Sequence, residues 1–125
     1  MSPDLQSTVN GISLDDEELR NMQLPELKPR ADATEGDPRE ADFDAYIEGD
    51  TSVGVWECTP GRFPGKKEGI NEMMHLLRGR ATITDEDGTK HELGAGSMFI
   101  VMDGWRGQWE VHETVRKVYA IWPTR

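Results

Sequence analysis

From Val53 to Trp122 apolar and polar residues alternate with period two, and glycines, prolines and acidic turn formers interrupt the alternation every few positions. The spacing predicts strands over residues 53–59, ended by Pro60-Gly61, over 72–78, ended by Gly79, and over 80–84, ended by Asp85-Glu86-Asp87-Gly88. Further strands are expected over 89–93, 97–102, 107–111 and 116–122. Asp87-Gly88, flanked by Ile83 and Leu93, is the strongest hairpin signal in the chain. No segment of this body carries the apolar stripe of a helix. Short strands separated by turns indicate an all-β sandwich or barrel.

Ahead of this body the pattern changes. Ser13 followed by Asp16, with Asp15, Glu17 and Glu18 alongside, reads as the N-cap and first turn of a short helix over 14–22, because carboxylates there complement the helix dipole. Pro25 and Pro29 stop it, residues 31–40 have turn composition, and Phe43, Ala45 and Ile47, alternating with acids, begin a strand. Charge sharpens the division. The 125 residues carry 24 Asp plus Glu against 14 Lys plus Arg, a net charge of -10. Residues 1–50 hold 14 acids and 4 bases and residues 51–125 hold 10 of each, so the whole excess lies in the first part. Residues 1–42 are expected to form an acidic N-terminal arm, partly extended with a short helix and too poor in large apolar residues to fold alone. Residues 43–125 are expected to form the packed domain.

The acidity argues against nucleic acid and anionic membranes as partners, since both are gripped by clustered cations. The longest apolar run, Met98 to Met102, is far short of the roughly 20 residues a membrane span needs. The N-terminus shows no basic-then-apolar signal pattern, so a soluble, cytoplasmic protein is expected. Cys58 is the only cysteine, which excludes an intrachain disulfide and a thiolate metal cluster. Lying between Glu57 and Thr59 with no adjacent cation, it reads as a buried structural thiol and not a nucleophile.

From Gly49 to Trp122 the chain resembles the small single-domain cupins, in particular those grouped with the cupin domain of (S)-ureidoglycine aminohydrolase. The residues that carry the resemblance are the run from Gly54 to Gly61, Asn71-Glu72 through Arg80, the Asp87-Gly88 turn, Gly96, Gly104-Trp105, Gly107 with Trp109-Glu110-Val111, and Glu113 to Lys117. The resemblance implies a double-stranded β-helix, a jelly-roll barrel of two packed antiparallel sheets, and a homodimer.

Many cupins hold a metal in the barrel through two motifs. The second half of the first, G(x)5HxH(x)3-4E(x)6G, is matched by Glu72 and Gly79. Its histidine places fall on Lys66 and Glu68 with the shorter spacing, or on Gly65 and Lys67 with the longer. The second motif, G(x)5PxG(x)2H(x)3N, begins at Gly96 and keeps Gly104, but has Met102 for proline, Gly107 for histidine and Val111 for asparagine. Of the usual ligands only Glu72 is kept, and a lone carboxylate cannot supply the three or four donors that zinc, iron or manganese require. No metal and no other cofactor is therefore expected. His75, at an odd offset from Glu72, points away from it on a strand, and His91 and His112 read as surface or inter-sheet residues. Glu68 with Glu72 could hold a hard cation only through added waters.

The expected cavity lining is Glu72 with Met74 on the same strand face, Trp109 beside the space left by Gly107, Trp56 closing one side, and Lys66 and Glu68 at the vacated histidine places. A buried carboxylate must find a cation, a proton or a ligand, and Lys66 or Arg80 is the expected partner of Glu72. The reading is a metal-free cupin that binds a small polar molecule through Lys66, Glu68, Glu72 and Trp109. The alternative is a metal-dependent enzyme similar to ureidoglycine aminohydrolase. An acid–base isomerase using Glu72 alone ranks below both. Gly94-Ala95-Gly96 lacks the further glycine and following helix of a dinucleotide-binding loop.

Overall fold

The computed structural model describes residues 10–125. A short helix, α1 (Asp16–Asn21), precedes nine strands: β1 (Lys28–Pro29), β2 (Glu35–Gly36), β3 (Arg39–Glu48), β4 (Thr51–Cys58), β5 (Gly61–Lys66), β6 (Ile70–Asp85), β7 (Lys90–Gly94), β8 (Met98–Val101) and β9 (Arg106–Pro123). All the pairings are antiparallel, and the strands form one sheet curled on itself into a jelly-roll barrel.

Two long strands organise it. The C-terminal half of β9 lies between β4 and the first half of β6, while its N-terminal half lies between β5 and the second half of β6. Beyond β6 the first half-sheet is closed by β8 and the second by β7. Each long strand thus serves both facing half-sheets and bends between them. The sequence pattern predicts two strands on either side of Gly79, and two more over 107–111 and 116–122. Both pairs are single strands. Gly79 sits at φ +92, where a Cβ would overlap the Thr114 carbonyl and come within 2.6 Å of Val115 Cα. It therefore marks a bulge where β6 crosses β9, not a turn, and the register shifts between Leu76 and Ala81 record the bend. The Asp87-Gly88 hairpin forms as expected, with Thr84 opposite Lys90.

The acidic segment is more fully incorporated than its composition suggests. β3 starts at Arg39, ahead of the expected Phe43, β1 pairs with β3, and β2 pairs with β5. Pro38 and Ala41 are buried. Helix α1 is shorter than the expected 14–22, and its N-cap is Asp15 rather than Ser13. The reason is reach: Asp15 accepts from Glu18 N at 2.8 Å while the Glu18 carboxylate accepts from Asp15 N at 3.3 Å. Ser13 would have faced Asp16, one methylene shorter than the Glu or Gln of a capping box. The helix is fastened to the barrel by Arg116, whose guanidinium donates to the Leu19 and Met22 carbonyls at 3.1 and 3.0 Å and to Glu57 at 2.9 Å. Residues 10–12 are exposed and precede these contacts. Residues 1–12 belong to the acidic segment whose composition is too poor in large apolar residues to fold alone, so removing them should move the melting temperature by no more than about 2–4 °C, and a larger fall in a thermal scan would show that this stretch supports the fold.

Candidate functional site

Period-two geometry sends every second residue of the central strands into the barrel. Across the first half-sheet the register sets Asp42, Trp56 and Lys117 in one row, Asp44, Gly54, Tyr119 and Met74 in the next, and Ser52, Ile121 and Glu72 in a third. From the second half-sheet Phe63 and Trp109 enter opposite them. Met74, Leu76, Ile83, Val115 and Cys58 belong to the buried apolar core, and of these Met74 reaches the cavity lining. Among these residues lies a cavity of about 660 Å³, large enough for a small metabolite.

The cavity is centred on a buried charge cluster. Glu72 Oε2 accepts from Lys117 Nζ at 3.0 Å and Glu72 Oε1 pairs with Lys67 Nζ at 2.7 Å. The Lys117 ammonium lies 3.8 Å from Met74 Sδ and stands over the rings of Trp56 and Trp109, 4.4 and 5.0 Å from their centroids. Trp109 in turn stacks on Phe63 and meets Trp56 edge-on. Burial would push the Glu72 carboxyl up, but the ammonium groups of Lys117 and Lys67 outweigh it and hold the group below the usual carboxylate range. Burial draws Lys117 below the usual lysine range, against the opposing pull of Glu72.

The four expected residues Glu72, Met74, Trp56 and Trp109 line this cavity together. Lys66 stands at its rim and Glu68 outside the lining; they pair with one another at 3.2 Å on the surface. The partner of Glu72 is accordingly neither Lys66 nor Arg80, which pairs with Glu113 at 2.8 Å. The longer motif spacing is the one the fold realises. It sets Lys67 at a histidine place, and the loop holding Lys67 is fixed by bonds from Lys67 N to the Trp105 carbonyl and from Gly104 N to the Lys67 carbonyl. The other two places, Gly65 and Gly107, are packed by the Trp105 indole, which would lie 3.0 and 2.6 Å from a Cβ there. Trp105 Nε1 donates to Asp85 at 2.9 Å, so the space left by Gly107 is filled from within the chain.

Lys67, Lys117 and Tyr119 were not among the residues expected at the site. Period two alone leaves the phase of the last strand open, because Val115, Lys117, Tyr119 and Ile121 alternate with Arg116, Val118, Ala120 and Trp122, one cation among apolar and aromatic residues on each face. Cys58 is fully buried, and burial pushes its thiol up to about 12, as suits a structural thiol.

A curled antiparallel barrel with two long strands running through both half-sheets and a cavity inside is the architecture of a cupin. A EutQ-like cupin domain model matches residues 48–119, more than half of the chain, and the chain belongs to that family. Among solved structures it is similar to a protein of unknown function from Pseudomonas syringae pv. tomato, at 24% identity and TM-score 0.67, covering 79% of this chain and 45% of that one. It thus spans less than half the length of that relative. The EutQ protein of Clostridium difficile matches at 18% identity and TM-score 0.60 over 69% of each chain. A protein assigned as ethanolamine utilization protein Q, from Salmonella typhimurium, matches at 17% and 0.61, covering 79% of this chain and 80% of that one. At these identities the likeness is one of fold. No curated protein sequence matches the chain. The comparisons support a small cupin; the narrower resemblance to ureidoglycine aminohydrolase is not among what they show.

The metal that cupins commonly hold does not fit these residues. Both oxygens of Glu72 are taken by ammonium groups, and the places of the three histidines hold Gly65, Lys67 and Gly107. A divalent cation would meet two positive charges and one committed carboxylate. Among the described residues no group of three or more His, Cys, Asp or Glu side chains is placed to ligate an ion, and no helix is long and apolar enough to cross a membrane.

Proposed function

We propose that the protein binds a small polar molecule inside the barrel, using the Lys67–Glu72–Lys117 cluster in place of the three-histidine metal site. The observation that carries this reading is the cluster itself: three ionised groups kept in an aromatic-walled cavity of about 660 Å³, where apolar side chains of similar size would fill space at lower desolvation cost. Trp56 and Trp109 supply flat apolar walls, and the remaining N–H donors of Lys67 supply polar recognition. The alternative, a metal-dependent enzyme similar to ureidoglycine aminohydrolase, is disfavoured by the two ammonium groups on its one surviving ligand. A cytoplasmic setting and a homodimer belong to the same proposal. Met98 and Ile100 on the outer face of β8, 63% and 51% exposed, support the dimer.

The test is a metabolite screen followed through the indole N–H resonances of Trp56 and Trp109. Ligands are expected that shift both, and Lys67→Met, which leaves the buried pair in place, should weaken them by about 1.5–3 kcal/mol. Ligands that bind Lys67→Met as tightly as the natural protein, or that move neither indole, would contradict the reading.

A further inference from the structure

We propose that the ligand of this barrel is a small zwitterion, its anionic group held by Lys67 and Lys117 and its cationic group by Asp42 and Asp44. The inference rests on the barrel being a small-molecule site and adds the class of molecule it takes.

The basic end carries two ammonium groups against the single carboxylate of Glu72 and so keeps one positive charge in excess. Each ammonium has three donors. Lys67 gives one to Glu72, which leaves donors for an entering anion.

The opposite end has the complementary deficit. Glu40, Asp42 and Asp44 alternate along β3 and therefore share one face. Glu40 is satisfied, accepting from Arg30 at 2.8 Å and from Trp56 Nε1 at 2.9 Å. Asp42 and Asp44 line the cavity, and among the described residues neither has a Lys, Arg or His nitrogen within 4.0 Å. Asp44 receives only a neutral donor, the Tyr119 hydroxyl at 2.6 Å. Partial burial, with Asp44 and Glu40 beside it, outweighs the Tyr119 hydroxyl and raises Asp42 above the usual range.

The register sets the span between the two ends. Asp42 is opposite Trp56 and Trp56 opposite Lys117, so the acidic and basic strands are two strand spacings apart, about 10 Å. Between them lie the Trp56 ring, suited to a methylene chain, and Gly54, whose missing side chain lets the Tyr119 hydroxyl reach Asp44; a Cβ there would stand 2.8 Å from that oxygen. An amine and a carboxylate joined by a short chain match this arrangement. A simple anion would leave the aspartates unpaired, and a simple cation would be repelled by the lysines.

The experiment is calorimetric titration of the full chain with glycine, β-alanine, γ-aminobutyrate and ε-aminocaproate, each against the matching unsubstituted acid and the matching amine. At least one amino acid should bind roughly tenfold or more tightly than both of its matched compounds, and the paired change Asp42→Asn with Asp44→Asn should remove that advantage. Circular dichroism confirms that the variant is folded. Acids that bind as tightly as the amino acids would overturn the zwitterion and leave the small-molecule reading standing. So would a series that fails throughout while the metabolite screen finds other barrel ligands. Failure of both the series and the screen would overturn both.

Discussion

Glu72→Gln is expected to lower the stability of the fold by about 3–5 kcal/mol at neutral pH, the cost of leaving a buried ion without its partner. The ion in question is Lys117, whose side chain is 8% exposed and whose remaining neighbours are Met74 and the faces of Trp56 and Trp109. Lys117→Met should cost less, because it conserves volume and leaves Glu72 paired with Lys67 at 2.7 Å. The pH dependence has a definite sign. In the natural protein the depressed Glu72 contributes stability that is present above the unfolded carboxyl pKa and is lost as pH falls through the folded value. In Glu72→Gln the amine of Lys117 loses the group that opposed its burial and falls further below the usual lysine range. Above that folded value and below the ordinary lysine pKa the unfolded chain binds a proton that the folded chain does not, so stability should climb with pH by up to about 1.4 kcal/mol per unit. Urea denaturation of the natural protein and the two variants between about pH 6 and about pH 9 reads the loss in each variant and the slope in Glu72→Gln, and extending the natural protein's series to acid pH reads the loss from Glu72. Equal losses in the two variants with no pH slope would mean that Glu72 and Lys117 are not an ion pair.

The second large effect is at Gly79. Gly79→Ala should cost about 2–5 kcal/mol, the sum of about 1–2 for placing a Cβ at positive φ and about 1–3 for overpacking. At φ +92 the new methyl would run into the Thr114 carbonyl and Val115 Cα, backbone atoms of β9 that cannot rotate aside. Gly96 has the same φ of 92 but nothing within 4 Å of its missing Cβ. Gly96→Ala should therefore show the conformational cost alone, about 1–2 kcal/mol. The difference between the two midpoints isolates the close approach of β6 and β9. Equal losses would mean that the bend does not depend on their contact.

These two sites also show how much of the molecule was legible in the sequence. The period-two runs and the Asp87-Gly88 turn were enough for an all-β barrel, because alternation reports directly on a half-buried sheet. They did not reveal that β6 and β9 each run unbroken through both half-sheets. A glycine at a bulge and a glycine in a turn look alike until the partner strand is known. At the site Glu72 and Met74 were legible from the motif and its alternation. Lys66 and Glu68 were expected from the shorter of two spacings, but the extra loop residue puts Lys67 inside and sends the other two to the rim and the surface. Lys117 is hidden because both faces of the last strand carry one cation among apolar residues, Lys117 on one and Arg116 on the other, so the phase is decided only by the pairing of Val55 with Val118 and Trp56 with Lys117.

Ammonium groups, and not a metal ion, are paired with Glu72 inside this cupin. Elemental analysis of the full chain purified without chelator, and again after dialysis against manganese, zinc and iron salts, tests it most directly. Far less than one metal ion per chain is expected in every preparation. Stoichiometric metal that disappears in Glu72→Gln would contradict it and would make the metal-dependent enzyme the better reading.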